Sequence, residues 1–279
     1  MAEEALVLGG GGVAGIAWTT GLLAGLADRG TDVTGADLLV GTSAGSAVAA
    51  QLGSGLPLGD LYARQTEPSL QAAEIAAELD LEAFAGAFGA IFETQPTYAE
   101  VRRAIGEFAL AADTVPEADR RAAIASRLPS PEWPSRRILI VAVDAGTGEP
   151  RVFERGSGVP LVDAVAASCA VPGIWPPVTI EGRRYVDGGM RSGENADYAA
   201  GANRVLIVAP MGVESPFPAE HPLPEVIDDL RSSGTSVAVV APDEASFAAM
   251  GTNPLDPGTR RPAAEAGRAQ GRALTLAYA

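Results

Sequence analysis

The chain has 279 residues, of which 47% are hydrophobic and 20% charged, a composition typical of a folded globular protein with a substantial core. All 20 basic residues are arginine and 35 residues are acidic, so the net charge of −15 disfavours nucleic acid and anionic membranes as partners. The absence of lysine also excludes Schiff-base catalysis, a P-loop and a Ser–Lys pair.

Cysteine and histidine usage restricts the chemistry further, because the chain contains one of each, Cys169 and His221. A lone cysteine forms no internal disulfide and the N-terminus lacks the basic start of a secretion signal, so we expect a cytoplasmic protein. No run approaches the ~18 apolar residues of a membrane span, so any membrane contact is expected to be transient and peripheral. Without a spaced carboxylate cluster, the sequence predicts no metal and no other cofactor.

Short runs rich in Val, Ile and Leu alternate with Ala-rich amphipathic segments, the pattern of an α/β fold with a mostly parallel sheet covered by helices. The simplest organisation is one domain, 1–279, with a helical insertion at about 58–134, after the second strand. Strands are predicted at residues 5–8, 37–40, 137–143, 151–154, 184–186, 204–209 and 237–241.

The first predicted strand runs into a glycine-rich loop, GGGGVAG at residues 9–15, which opens a helix. Bare backbone N–H groups in such a loop can stabilise the oxyanion of a tetrahedral acyl intermediate. Gly10, Gly11 and Gly12 are therefore candidate oxyanion-hole residues.

The same loop has a second interpretation, because Gly10-x-Gly12-x-x-Gly15 fits the fingerprint of a dinucleotide-binding protein. Asp32 and Asp37 lie at about the distance at which an acidic ribose ligand is expected. That acid should end the second strand, whereas Asp32 precedes the strand and Asp37 begins it. Dinucleotide binding stays open as the alternative function.

The second predicted strand runs into GTSAG at residues 41–45, followed by a helix of small residues ending near Gly53. This strand–turn–helix context is that of a nucleophile elbow, which would present the Ser43 hydroxyl on a tight turn at a helix N-terminus. Gly41 and Gly45 would relieve the crowding of that turn. The alternative interpretation is a Gly/Ser turn in which Ser43 only caps the helix.

The segment 58–134 is rich in Ala and Glu and contains no convincing strand, so it predicts inserted helices. Further along, residues 212–223 contain three prolines and predict a surface loop, and residues 262–279 return to helical composition. Apolar residues within the insertion form one helical stripe, predicting a face that packs on the core or closes over a site: Leu79, Ala83, Phe84, Ala87, Phe88 and Ile91.

A short strand at 184–186 delivers Asp187, which is followed by Gly188 and Gly189. Without side chains on these glycines, the backbone can approach a neighbouring loop and hold the carboxylate within reach of a hydroxyl. The alternative interpretation is an ordinary Asp-Gly hairpin turn.

A serine nucleophile needs a base, and the one histidine, His221, lies in the proline-rich loop. The order Ser43, Asp187, His221 would permit an α/β-hydrolase triad, but that fold lays down several strands before its elbow. We therefore predict a Ser43–Asp187 dyad, in which a partly desolvated Asp187 takes the serine proton, and we expect His221 at the surface.

The remaining candidates have simpler interpretations. Cys169, in an apolar setting, is predicted to be a small buried residue, and Trp175 to be buried packing or an apolar wall beside the site. Pairs of adjacent arginines are predicted to lie on solvated faces: 102–103, 120–121, 136–137, 183–184 and 260–261.

The glycine loop, GTSAGS and DGG, in this order and strand context, resemble the patatin-like phospholipases. The resemblance covers about residues 5–209, including ASCAVPG at 167–173, which is similar to the family segment before the aspartate strand. It implies a three-layer α/β/α fold with a mostly parallel central sheet.

For function, the resemblance implies a Ser43–Asp187 dyad with the oxyanion hole in the glycine loop, hydrolysing acyl esters of phospholipids or other lipids without a metal. The partner would be a lipid or acyl-ester substrate. Two departures stand out: Ala14 occupies a position where the family usually has Arg or Lys, and the polar stretch after DGG, residues 190–197, is altered. A catalytically weak acyl-binding relative is therefore a further alternative.

Overall fold

A computed structural model describes residues 2–77, 81–214 and 218–279. Within these ranges the strands are β1 (Glu4–Leu8), β2 (Leu38–Thr42), β3 (Arg137–Asp144), β4 (Pro150–Phe153), β5 (Val178–Ile180), β6 (Arg183–Asp187), β7 (Arg204–Val208) and β8 (Ser236–Val240). The α-helices are α1 (Gly12–Asp28), α2 (Ala44–Gly53), α3 (Leu58–Thr66), α4 (Leu81–Thr94), α5 (Tyr98–Ala111), α6 (Glu117–Arg127), α7 (Leu161–Ser168), α8 (Leu223–Ser232), α9 (Glu244–Met250) and α10 (Arg260–Ala273).

The strands form one mixed sheet in the order β5-β6-β3-β2-β1-β7-β8, with β4 paired to β3. The five strands from β3 to β8 along this order are parallel, whereas β4, β5 and β6 are antiparallel to their neighbours. The mostly parallel α/β sheet that the sequence predicts is therefore confirmed. The chain leaves β1 toward β2 and later returns to β7 on the other side of β1, so loops from three adjacent strands meet at their carboxyl ends.

Helices cover both faces of the sheet because the parallel strands are apolar on both faces. On one face, Leu6 and Leu8 belong to the larger core, which α1, α2, α7 and α10 cover. On the other face, Val7 and Ile207 belong to a second core with residues of α8. Burial on both faces explains why these strands are continuous apolar runs in the sequence.

Each strand predicted from the sequence is present, with ends that differ by one or two residues. The three-residue β5 and the helices α7, α8 and α9 were not predicted, because elements of three to ten residues show too little of a hydrophobic period. The insertion 58–134 contains α3 to α6 and no strand within its described residues. None of the described helices is long and apolar enough to cross a bilayer.

The apolar stripe predicted in the insertion packs mainly against α5. Phe88 is buried beside Val101 and Ile105, and its ring meets that of Phe108 edge-on at 6.2 Å. Ala83 is exposed, so its inclusion in the packing face was wrong. Leu79, also predicted for this stripe, lies outside the described residues.

The prediction that the arginine pairs lie on solvated faces was wrong for three pairs. Arg102, Arg120 and Arg260 are 7%, 3% and 5% exposed, while the partner in each pair is exposed. Adjacent positions on a helix point about 100° apart, so one arginine of a pair can enter the interior while the other stays in water. Arg260 and Arg127 hold the buried Glu74 between them.

Candidate active site

The sheet register brings Ser43 and Asp187 together across β3. Thr42, the last residue of β2, is opposite Val141 of β3. Asp187, the last residue of β6, is opposite the next β3 residue, Ala142. Ser43 and Asp187 therefore emerge at the same level of the sheet, on opposite sides of one strand.

Ser43 adopts a backbone conformation that is strained for a residue with a side chain, with φ 51° and ψ −120°. Its N–H donates to the Ser168 hydroxyl at 2.9 Å. Its carbonyl accepts hydrogen bonds from the Ser46 hydroxyl at 2.6 Å and the Cys169 thiol at 3.1 Å. Both backbone polar groups of Ser43 are thus fixed by neighbouring side chains, which hold the strained turn in place.

The Ser43 hydroxyl is not used as a helix cap. Ser43 occupies the N-cap position of α2, but its side chain makes no capping hydrogen bond within the described chain. The residue is half-buried, and its hydroxyl lies close enough to Asp187 to lower the pKa of that carboxyl. This observation weighs against the interpretation of Ser43 as an ordinary N-cap.

Close backbone approaches account for the two glycines that flank this turn. A Cβ on Gly45 would overlap the backbone of Leu8 at the end of β1. A Cβ on Gly41 would lie 2.6 Å from the Ser46 Cα, closer than real Cβ contacts come. The turn can therefore form only where both residues lack a side chain.

Asp187 is 3% exposed and its two carboxylate oxygens have different surroundings. Oδ1 accepts from the Gly189 N–H at 2.8 Å and caps a 3₁₀ turn at Gly188–Met190; the next strand, β7, pairs with β1 and β8 rather than β6, so the hairpin interpretation was wrong. Oδ2 is buried and has no partner in hydrogen-bonding geometry among the described residues. Burial raises the pKa of the Asp187 carboxyl to about 7, against the opposing effects of the Gly189 N–H, the Ser43 hydroxyl and the charge of Arg120.

The turn after β6 is fastened to the end of β2 by Asn195, which is fully buried. Its side-chain N–H group donates to the Thr42 hydroxyl at 3.0 Å and to the Ser192 carbonyl at 2.8 Å. Its Oδ1 accepts from Arg191 at 2.8 Å. Asn195 therefore links the residue before Ser43 to the loop that carries Asp187.

The glycine loop lies directly beside Ser43, because a Cβ on Gly10 would be 3.5 Å from the Ser43 Cβ. Gly10 donates its N–H to the Gly193 carbonyl at 2.9 Å. The N–H groups of Gly11 and Gly12, the other two predicted oxyanion donors, make no hydrogen bond to any described residue. Two donors of this loop are therefore free to bind an anionic oxygen.

A second buried carboxyl, that of Glu194, lies against the same loop. A Cβ on Gly9 would lie 3.2 Å from both Cγ and Oε1 of Glu194, which is 6% exposed. Burial raises the pKa of this carboxyl to about 7. Glu194 can therefore change charge near neutral pH beside the predicted oxyanion site.

The acids that a dinucleotide site would need lie at the other end of the sheet. Asp37 accepts from the backbone N–H groups of Glu3 and Glu4, at the amino ends of β1 and β2. Asp32 accepts from Thr34 in an exposed turn. The Pro254 carbonyl also accepts from the Ala14 N–H at 3.0 Å, so one donor at the start of α1 is already occupied. This geometry does not fit dinucleotide binding.

An apolar cavity of about 550 Å³ opens beside the site, and Gly193 and Glu194 belong to its wall. His221 is half-buried in that wall rather than fully at the surface, and it forms no hydrogen bond with Ser43 or Asp187 in the described structure. The described residues include no cluster of His, Cys, Asp or Glu that could hold a metal ion. Apolar side chains supply most of the lining: Phe88, Phe92, Ile105, Met190, Met211 and Leu223.

Sequence reasoning did not find several residues that shape the site. Ser168 lies in the segment 167–173 that carries part of the family resemblance, so a signal for it existed. Asn195 and Glu194 lie in the altered stretch after DGG, to which the sequence assigned no role. Arg120 was placed on a solvated face.

The chain matches the sequence model of a known protein family. The sequence model of the family described as Patatin-like phospholipase matches residues 6–200. This range contains the glycine loop, the Ser43 turn and Asp187.

Solved structures with a similar chain path include VipD and ExoU, both of low sequence identity to this chain. VipD from Legionella pneumophila is 14% identical with a TM-score of 0.46, covering 96% of this chain and 66% of VipD. The type III effector ExoU is 16% identical with a TM-score of 0.38, covering 99% of this chain and 54% of ExoU. Full-length ExoU of Pseudomonas aeruginosa, solved with SpcU, gives 17% identity, a TM-score of 0.38 and the same coverage. This chain thus spans between about half and two thirds of these chains.

Proposed function

This chain belongs to the patatin-like phospholipase family of lipid hydrolases, and on that premise we propose that it cleaves carboxylic esters of lipids with Ser43 as nucleophile and Asp187 as base. The observation that carries the proposal is the pairing of a serine in a strained turn with a buried carboxyl whose Oδ2 lacks a partner among the described residues. An ordinary carboxylate with a pKa near ~3.9 is a weak base at neutral pH, whereas a carboxyl with a pKa of about 7 is well matched to that task.

The reaction proceeds in two halves. Asp187 accepts the Ser43 proton while Oγ bonds to the ester carbonyl carbon, and the Gly11 and Gly12 N–H groups stabilise the resulting oxyanion. The intermediate expels the alcohol, which takes the proton from Asp187, and leaves an acyl-serine. Water then attacks the acyl carbon and gives up a proton to Asp187. Collapse of this second intermediate releases the carboxylic acid and returns the proton to Ser43.

The cavity beside the site supports a substrate with an apolar acyl group. Gly193, whose carbonyl accepts from Gly10, and Gly189, whose N–H donates to Asp187, are part of its wall, so the cavity adjoins the glycine loop and the turn after Asp187. Phenylalanine, methionine and leucine side chains line it, and such surfaces bind hydrocarbon by excluding water. We therefore propose acyl esters of phospholipids or related lipids as substrates.

The proposal is tested with p-nitrophenyl acyl esters and a fluorophosphonate probe. Ser43→Ala should abolish both turnover and labelling, and Asp187→Asn should lower turnover by several orders of magnitude while the protein stays folded. Ser54→Ala, at the other end of α2, controls for loss of a hydroxyl. Asp144→Asn controls for loss of a buried carboxyl, because Asp144 ends β3 and also accepts backbone N–H groups.

Other outcomes would contradict the proposal. Turnover that survives both Ser43→Ala and Asp187→Asn would show that another site carries the activity. If Ser43 takes no label while lipid vesicles still bind the protein, the chain is an acyl-binding relative instead. Thermal stabilisation by NAD would restore the dinucleotide alternative.

A further inference from the structure

Arg120 is a buried cation that lacks some of the hydrogen bonds its guanidinium group could form. It lies on α6 and is 3% exposed, and its Nε and Nη1 have no hydrogen-bond partner among the residues that the structure describes. Its guanidinium group stacks on the Trp175 ring, with Cζ 3.7 Å from the ring centroid. A stacked ring stabilises a cation only in part, so burial of this charge costs stability that an apolar side chain of similar size would not.

The segment that carries Trp175 is also the back wall of the proposed active site. Its Cys169 thiol donates to the Ser43 carbonyl at 3.1 Å, and its Ala170 carbonyl accepts from the Asp187 N–H at 3.0 Å. Trp175 follows five residues after Ala170 and holds Arg120 by stacking. One short segment therefore contacts the serine, the aspartate and the arginine.

Two of the charged groups that pack against this segment, Asp187 and Arg120, have opposite charge. Asp187 has a buried oxygen with no partner within the described chain, and Arg120 has two buried nitrogens, Nε and Nη1, in the same condition. We propose that Arg120 is a positioning residue, whose fixed positive charge keeps the Asp187 carboxyl ionised so that it can accept the Ser43 proton. This inference rests on the proposed function of Ser43 and Asp187.

The charges around both groups agree with this role. Asp187 is faced by the Ser43 hydroxyl, the Gly189 N–H and the Arg120 charge, each of which lowers its pKa, while burial raises it. Burial raises the pKa of the Cys169 thiol, and the negative charge of Asp187 acts in the same direction.

Arg120 itself stays charged despite its burial. Desolvation, followed by the charge of the neighbouring Arg127, lowers the pKa of Arg120 to about 10. Cys169, Glu74 and Asp187 act in the opposite direction and raise it. That value is still far above neutral pH, so the guanidinium group remains protonated while Asp187 titrates.

The test is the pH profile of kcat/KM for a p-nitrophenyl ester in Arg120→Gln. Activity rises with pH as Asp187 loses its proton, and the positive charge of Arg120 lowers the pKa of that carboxyl. Removal of the Arg120 charge should therefore shift the acidic limb of the kcat/KM profile by about one unit toward higher pH. At pH 6, kcat/KM should fall roughly tenfold, whereas at pH 9 it should stay near the wild-type value.

Three variants make the result specific. Arg120→Lys keeps the positive charge and should restore the wild-type limb. Arg121→Gln removes the exposed neighbour, which pairs with Asp163, and should leave the profile unchanged. Arg120→Met fills the same space without charge and should shift the limb as Arg120→Gln does, which provides a second test if the glutamine variant does not fold.

A purely structural role would give a different profile. If neutral replacement of Arg120 lowers kcat/KM by the same factor at every pH and the limb does not move, the inference is wrong. Wild-type hydrolysis that persists in Ser43→Ala would instead remove the proposed function itself. If ester turnover is too slow to measure, the pH dependence of fluorophosphonate inactivation reports the same limb.

Discussion

The backbone N–H of Ser43 donates to the Ser168 hydroxyl, and that hydroxyl donates in turn to the Val141 carbonyl at 2.6 Å. Ser168, 125 positions away in the chain, thus ties the strained turn to β3, the strand that separates Ser43 from Asp187. A local conformation that is unfavourable by itself is held by a contact that only the folded chain can provide.

Ser168→Ala should both destabilise the protein and slow ester hydrolysis. The Ser43 N–H would lose its acceptor in a buried position, which costs about 1–3 kcal/mol of unfolding free energy. The turn would also relax, so kcat should fall about tenfold with a smaller change in KM. Urea unfolding and steady-state kinetics measure the two effects, and Ser54→Ala serves as the control. Wild-type kcat in Ser168→Ala would show that this bond does not hold the nucleophile.

Asp187 should make stability depend on pH in an unusual direction. Its folded pKa of about 7 lies above the ordinary value of 3.8, so the folded state binds the extra proton between these values. Stability should therefore fall as pH rises from about 4 to 7, by at most ~4 kcal/mol, since each pKa unit corresponds to ~1.4 kcal/mol.

Asp187→Asn should remove this contribution and be more stable than wild type at pH 8, but not at pH 4. Urea unfolding across this range measures it. Burial also raises the pKa of Glu194, so this carboxyl adds to the same pH dependence. The slope in Asp187→Asn should therefore be reduced rather than abolished. Ser43→Ala keeps the carboxyl and removes a hydroxyl that lowers its pKa, so the fall in stability with rising pH should persist in this variant. An unchanged slope in Asp187→Asn would mean that burial does not raise the pKa of Asp187 above its ordinary value.

Glu194→Gln should raise activity at alkaline pH. Above pH 7 the Glu194 carboxylate would place a negative charge beside the glycine loop, where the oxyanion forms. Two like charges ~7 Å apart repel by about 2 kcal/mol at an effective dielectric of ~20. The variant should therefore be at least about tenfold faster than wild type at pH 9 and similar at pH 6.

The matched control for this effect is Glu214→Gln, which neutralises an exposed carboxyl on the wall of the same cavity. Its kcat/KM profile should follow that of wild type. Parallel profiles of Glu194→Gln and wild type from pH 6 to 9 would rule out an electrostatic effect of Glu194 on the reaction.

Gly45→Ala should prevent stable folding, because the new methyl group would overlap the Leu8 backbone, which cannot move without disturbing β1. We expect a loss of at least ~3 kcal/mol in unfolding free energy. Gly86→Ala, in α4, where a Cβ would meet nothing within 4 Å, should be neutral or stabilising by ~0.5–1 kcal/mol. A folded, active Gly45→Ala would show that the turn tolerates a side chain.

His221→Ala should leave turnover within about threefold of wild type, because His221 forms no hydrogen bond with Ser43 or Asp187 in the described structure. A small change in KM is expected, since His221 is part of the cavity wall. Steady-state kinetics decides the question. A loss of several orders of magnitude would instead support a Ser–His–Asp triad.

The local parts of the site can be read directly from the amino-acid sequence. The glycine loop, the GTSAG turn and the DGG turn each need residues without side chains at fixed positions, because the backbone there approaches other backbone closely. Such a requirement is local and leaves a readable pattern. The apolar runs that form the buried parallel strands are local in the same way, and so the fold class was predicted correctly.

How these parts act on each other depends on the folded arrangement of distant segments. The strand register places Asp187 and Ser43 at the same level on either side of β3. The Gly193 carbonyl accepts the hydrogen bond that the Gly10 N–H donates. Burial depends on how distant segments pack, and it raises the pKa of Asp187 and of Glu194. The same packing places Arg120 rather than Arg121 in the interior. Proximity and desolvation arise from contacts between residues far apart in the chain, and such contacts leave no local pattern in the sequence.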